Sequence, residues 1–377
     1  MPGLNKNIQA LLGIIILYSV STGASYFAFN IFLKYPISIS TPFGNLTDIT
    51  STNNSDGTKD KACPVNGILY TKARQEQWQK RRPLAVMIEN HLDARPVLGL
   101  SRADAVYEAV AEGGITRFLS IFLCQDAGDI APIRSARTYY LDWLLEYDAA
   151  YAHVGGANTP GPANALGQIR DYKIKDMDQF GLGFPTYWRG TDKLAPHNVH
   201  STTKKLWEAA EKRDFGPEDE KGIRWDKNFV EWKFKDEASL NERGDQKPIV
   251  VPFWEEDGNY KVTWQYDKEK NVYNRSQNEA VQTDPITSEN LSPKNVIIQL
   301  ETERNANDGY PDGHLLYGTI GSGKALIFQD GKVIVGKWNK ASRTSRSKFT
   351  DAQGKEVSLN RGQVWIQIIP VGNDVKY

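Results

Sequence analysis

The chain is poor in cysteine, with 2 in 377 residues, and poor in histidine, with 5. Two thiols cannot build a disulfide-rich scaffold or a four-cysteine zinc centre. Net charge is missing as well, since 46 Lys+Arg balance 46 Asp+Glu. A chain with no overall charge has no electrostatic footprint for nucleic acid, and none is expected as a partner. No internal repeat of fixed period is visible. What is present is aromatic. Ten Trp, 17 Tyr and 14 Phe beside 24% charged residues describe a folded chain and not a disordered one. At roughly 150 residues per domain, the length suggests about two domains.

Charge is also absent locally. Between Lys6 and Lys34, the stretch from Ile8 to Leu33 holds no charged residue. As a helix it would be about 39 Å long, enough to cross a hydrocarbon core of about 30 Å. Residues 1–34 are therefore read as an anchor with one N-terminal transmembrane helix. The competing reading is a cleaved signal peptide ending near Thr22-Gly23-Ala24. The anchor is preferred because the apolar run continues through Tyr26-Phe27-Ala28-Phe29. Residues 35–61 are rich in Ser, Thr, Asn, Asp and Gly without a period, a flexible polar linker. Anchor, tether and globular remainder together imply a single-pass protein of the cell membrane with its ectodomain on the extracytoplasmic side. In that compartment Cys63 and Cys124 can form a disulfide; two unrelated buried thiols is the alternative.

The ectodomain divides in two. Residues 62–222 are expected to form an α+β or α/β domain. Leu84–Ile88, Arg117–Leu123 and Tyr151–Val154 are strand candidates, while Tyr139–Tyr147 and Ser201–Arg213 carry helical periodicity. Ser101 before Val106, Val110 and Ala111 looks like an N-capped helix start. Residues 223–247 are a connection. Residues 248–377 are expected to be a β-rich antiparallel domain, with strands at Asn259–Tyr266, Asn295–Leu300 and Gly362–Ile369 and a hairpin over Ala325–Val335.

Gly318-Thr319-Ile320-Gly321-Ser322-Gly323-Lys324 imitates a phosphate-binding loop, but Ala325 stands where a hydroxyl is needed and a hairpin follows instead of a helix. His197 and His200, with His153, invite a metal reading. Without an HExxH pattern no metal site is expected, and no cofactor. More chemistry lies between Ala111 and Arg137. Arg117 follows a Gly-Gly turn, and Arg134 and Arg137 follow Pro132. Arginine forks match phosphates and carboxylates, so Arg117, Arg134 and Arg137, with Glu112, Asn90, His153 and Asn198, are the candidate ligand-binding residues. The alternative is that these arginines are salt-bridged to Glu108, Glu112 or Asp142 and pin a loop. No nucleophile motif is readable.

The runs Arg82-Pro83-Leu84-Ala85-Val86-Met87-Ile88-Glu89-Asn90-His91, Gly99-Leu100-Ser101-Arg102-Ala103-Asp104, Glu112-Gly113-Gly114-Ile115-Thr116-Arg117-Phe118, Pro132-Ile133-Arg134-Ser135-Ala136-Arg137 and Ala195-Pro196-His197-Asn198 carry a resemblance. So does Leu359-Asn360-Arg361-Gly362-Gln363-Val364-Trp365-Ile366. Over about 62–372 the chain resembles the YerB-like lipoprotein family. The resemblance implies a two-domain, envelope-anchored bacterial protein of unassigned activity, and it brings no catalytic residues. The chain departs from it in one respect, because its first cysteine, Cys63, lies far beyond the apolar run. An anchor helix is therefore expected instead of a lipid. Three functions follow as alternatives: binding of an anionic or sugar-containing envelope ligand, which is preferred; a scaffold for an envelope protein partner; and an enzyme acting on envelope glycans or polyprenyl-linked phosphates.

Overall fold

In the computed structural model, residues 57–254 and 258–377 are described. The expected anchor and most of the expected linker lie outside the described residues. Among the described residues, no helix is long and apolar enough to cross a membrane.

The first half begins with helix α1 (Lys72–Trp78), which buries Trp78. Strands β1 (Leu84–Glu89), β2 (Ala105–Glu112) and β3 (Ile115–Phe122) follow, then helix α2 (Thr138–Leu144) and strand β4 (Ala150–His153). Helix α3 (Ala165–Asp171), strand β5 (Lys175–Asp178) and helix α4 (Thr203–Glu211) complete it. Thr202 caps α4 by accepting from the Lys205 amide. The expected helix after Ser101 is a correction. That segment makes only a single turn, Leu100–Arg102, and then enters β2, whose eight residues are all buried. Burial on both faces of a central strand overrides the spacing of Val106 and Val110, since packing decides strand preference more than intrinsic propensity does.

The second half supplies an antiparallel four-stranded sheet, β6 (Ile249–Val251), β7 (Val262–Asp267), β8 (Val272–Gln277) and β9 (Ala280–Val281). Its other main strands are β10 (Asn295–Glu301), β11 (Gly321–Gln329), β12 (Lys332–Lys340), β13 (Lys348–Thr350) and β14 (Val364–Pro370). Gly321 and Lys324 of the false phosphate loop lie within β11. The expectation of a purely antiparallel second domain is also corrected, because β10 and β14 pair in parallel. Strand β14 then pairs in parallel with β2 of the first half, Val364 opposite Ala105 and Gln367 opposite Glu108. One ten-stranded sheet results, in the order β13-β12-β11-β10-β14-β2-β3-β1-β4-β5. Residues 57–377 therefore pack as one unit. Cys63 and Cys124 are joined by a disulfide that ties the segment before α1 to the end of β3.

Two of the buried acids, Glu301 and Asp104, are held well above the usual carboxylate range. Glu301, at the end of β10, is 1% exposed and accepts from Gln299 Nε2 at 2.5 Å, while its Oε2 has no hydrogen-bond partner. Burial pushes its carboxyl up to about 8, with Asp142 and Glu146 raising it further and Gln299 and Lys340 opposing. Burial likewise pushes Asp104 up to about 6, against the backbone amides of Leu123 and Cys124. A raised acid binds its proton more tightly when folded, so its contribution is complete at low pH and is lost as pH rises through the folded value, at up to about 1.4 kcal/mol per pH unit. Melting temperature should therefore fall between pH 6 and 8, and fall less for Glu301→Gln. Parallel curves for the two proteins would refute the assignment.

Candidate functional site

The arginines chosen from sequence divide between interior and surface. The Gly113-Gly114 turn, with both glycines at positive φ, joins β2 to β3 and places Glu112 opposite Ile115. Arg117 then donates from Nη2 to Glu112 Oε2 at 3.2 Å and from Nη1 to the Ser135 carbonyl at 2.9 Å. Arg137, at the head of α2, donates through Nε and Nη2 to Glu112 Oε1. Its Nη1 donates to the Ala136 carbonyl at 2.6 Å. Arg117 and Arg137 are 7% and 6% exposed, and Glu112 is 8% exposed. Burial holds the Arg137 guanidinium below the ordinary arginine value. One carboxylate thus answers two buried cations, and these three residues do not line an open cleft.

The other candidates are also inside and partnered. His153, fully buried in β4, bonds the Gly155 carbonyl through Nδ1 at 2.7 Å and Asp176 through Nε2 at 3.0 Å. Burial would raise Asp176, but the His153 hydrogen bond and charge outweigh it and hold the carboxyl below its usual value. Asn90 donates to Thr116 Oγ1 at 2.7 Å and to Gln277 Oε1 at 3.1 Å, linking the two halves. Asn198 accepts from Arg189 at 2.8 Å and donates to the Gly190 carbonyl at 2.9 Å, closing the loop between them.

Arg134 is different. Its side chain is 24% exposed, and its Nε donates to Glu89 Oε1 at 2.9 Å. Glu89 ends β1, and its Oε2 accepts from His197 Nδ1 at 3.0 Å. The His197 ring stacks on His91, with centroids 4.7 Å apart and planes at 15°. This row of Arg134, Glu89, His197 and His91 runs into an open cleft of about 740 Å³. Asp93, Arg95, Asp192, Lys193 and His197 give the cleft its polar lining; Pro96, Leu98, Leu194, Ala195 and Pro285 give the apolar part. Lys193 donates to the Pro96 carbonyl at 3.0 Å, which holds the 190–197 loop against the 93–98 segment. Arg95 donates to Asn90 Oδ1 at 3.1 Å and covers the Tyr260 ring at 4.9 Å.

Histidines at 197 and 200 face different partners. His200 lies between Asp129 at 3.1 Å and Asp192 at 3.3 Å. Burial alone would lower its pKa, but the Asp129 hydrogen bond and both carboxylates raise it above the usual histidine value. His153, His197 and His200 therefore do not share a site. Glu89, His91, Asp93, Asp192 and Lys193 were not selected from sequence. The available signal was the polar run Glu89-Asn90-His91-Leu92-Asp93-Ala94-Arg95 directly after an apolar strand, because strand ends feeding a loop are where sites are built.

Comparison with known proteins places this geometry in a family. The model described as "Protein of unknown function (DUF3048) N-terminal domain" matches residues 70–216, and that of the DUF3048 C-terminal domain matches 249–366. "Putative lipoprotein YerB" of Bacillus subtilis (strain 168) is 29% identical over 323 residues, 85% of this chain and 91% of that protein. The crystal structure of YerB protein from Bacillus subtilis superposes with a TM-score of 0.71 at 27% identity, covering 84% of this chain and all of that one.

Proposed function

The chain belongs to the DUF3048 family of proteins of unknown function, whose two domains it carries, and on that premise we propose that it is a membrane-attached envelope protein that binds an acidic saccharide in the Asp93–His197 cleft. Membrane attachment draws support from the relative named "Putative lipoprotein YerB" and from the uncharged run at residues 8–33. The two cysteines of the sequence are joined to each other, so neither thiol is available to carry a lipid. The apolar run supplies the attachment instead, with the ectodomain on the extracytoplasmic side, where a disulfide persists.

The observation that carries the ligand reading is the mixed lining of the cleft. Asp93 and Asp192 accept from hydroxyls, Lys193 faces a carboxylate or phosphate substituent, Arg95, whose nitrogens already donate to Asn90 and Asn259, adds its positive charge, and Pro96, Leu98, Leu194 and Pro285 meet the apolar face of a sugar ring. A few convergent polar groups over an apolar floor is the usual make-up of a small-ligand site. Of the sequence-selected residues, Arg134 contributes by holding Glu89 and so His197, Asn90 by holding Arg95 and Asn198 by holding the Gly190 carbonyl, while Arg117, Arg137, Glu112 and His153 belong to the interior.

The test is a calorimetric titration of the full chain with uronic acids, sugar phosphates, peptidoglycan fragments and uncharged sugars. An acidic saccharide should bind, an uncharged one about tenfold or more weakly; Lys193→Ala with Asp192→Asn should abolish binding, and Asp93→Asn, which alters a side chain that is 74% exposed, should weaken it without lowering the melting temperature. A flat panel, or equal binding by the double variant, would refute the reading.

A further inference from the structure

We propose that His91, Asp93 and His197 form a divalent transition-metal site at the rim of this cleft, with Glu89 orienting one ligand and one coordination position left open to the cleft. One ligand atom from each of the three residues lies within 4.8 Å of the others. His91 Nδ1 and Asp93 Oδ2 are 3.6 Å apart. Two ligands at about 2.0–2.1 Å from a tetrahedral ion stand about 3.4 Å from each other, so this pair is nearly at bonding separation. The His91 lone pair meets only the Asp93 backbone N–H, at a long 3.2 Å, and that is the contact the ion would replace.

His197 is prepared in the way metal-bound histidines are. Its Nδ1–H donates to Glu89 Oε2 at 3.0 Å, and the other Glu89 oxygen is held by Arg134 at 2.9 Å. A carboxylate on one ring nitrogen fixes the tautomer, makes the other nitrogen a better donor and sets the ring plane. The His91 ring stacks on it at 4.7 Å, and a turn about its Cβ–Cγ bond, which only one long hydrogen bond opposes, brings its in-plane lone pair onto the same ion. Backbone structure fixes the spacing, since an Ala94–His91 backbone bond of 3.0 Å closes the turn Leu92–Ala94 and a His197–Leu194 backbone bond of 2.9 Å closes the other loop. The remaining closure falls to Asp93, whose side chain is 74% exposed and has room to swing inward.

Two imidazoles and one carboxylate suit Zn²⁺ or a neighbouring first-row ion better than Mg²⁺ or Ca²⁺, which prefer all-oxygen sets. Three protein ligands with a solvent-facing fourth position is the open arrangement, not the closed structural one. The open position would accept an oxyanion of the ligand. The metal site does not depend on that ligand being a saccharide, and its test contains none.

The full chain is titrated with Zn²⁺ alone by calorimetry and with Co²⁺ by visible absorption. About one Zn²⁺ per chain should bind, and Co²⁺ should give the intense bands of a four-coordinate site. His197→Ala and Asp93→Asn should each remove binding. Glu89→Gln should weaken it about 10- to 100-fold, with His200→Gln as a variant that leaves it unchanged. Asp93→Asn alters an exposed side chain, so its metal-free melting should match the parent and separate ligation from folding. No Zn²⁺ uptake, or uptake that survives both Asp93→Asn and His197→Ala, would overturn the site whatever the saccharide titrations show.

Discussion

Glu112→Ala should destabilise the protein by about 3–5 kcal/mol, because it strands two guanidinium groups in the interior. Arg117 and Arg137 both end on this carboxylate, one on each oxygen, and neither side chain is more than 8% exposed. Their remaining bonds go to the Ser135 and Ala136 carbonyls, which are dipoles and cannot balance a charge. For a cooperative unit of this size the loss corresponds to roughly 5–8 °C in melting temperature. Glu112→Gln, which keeps an acceptor, should fall in between. The opposite view, that these arginines bind ligand and Glu112 merely occupies them, predicts a folded Glu112→Ala protein with tighter anion binding. Thermal melting with and without phosphate distinguishes the two.

Arg275→Met should cost a comparable amount, about 3–5 kcal/mol, and Glu108→Gln in the same chain should restore most of it. Arg275 stands on β8 of the smaller sheet and reaches Glu108 on β2 of the larger one at 2.6 Å, with both side chains fully buried. Phe118, Trp264 and Trp365 enclose the guanidinium at 5.3–5.9 Å. Burial pulls the Arg275 pKa down, and Glu108 pulls it back. Removing one partner leaves a buried charge alone, whereas replacing both by uncharged groups of similar size is often close to neutral. Glu108 also accepts from Trp365 Nε1 at 3.0 Å and Gln367 Nε2 at 2.9 Å, roles a glutamine oxygen can keep in part. The double-variant cycle should therefore show a coupling above about 2 kcal/mol. Additive losses would mean that the pair does not clamp the two sheets together.

Local pattern carried much of this fold into the sequence, and distance in the chain hid the rest. Leu84–Glu89, Asn295–Glu301 and the Ala325–Val335 hairpin were legible because an apolar run or an alternation states its own conformation. The strand at Ala105–Glu112 was not, because its central place in the sheet depends on pairing with β14, some 250 residues later. The same limit governs the site. A carboxylate five residues before Arg117 and 25 before Arg137 pairs with both, yet spacing alone cannot say which of several acids folds against them. His91 and His197 meet only because β1 and the 190–197 loop converge on one edge. Their chemistry was visible in the residue types, and their partnership was not.

The central claim is that ligand chemistry belongs to the Asp93–His197 cleft and not to the interior arginines. Amide hydrogen exchange on the full chain, with and without a saturating acidic saccharide, tests it most directly. Slowed exchange across residues 91–98 and 190–198, with 112–117 and 135–140 unchanged, is the predicted result. Protection centred on Arg117 and Arg137, or none with any saccharide, would contradict it.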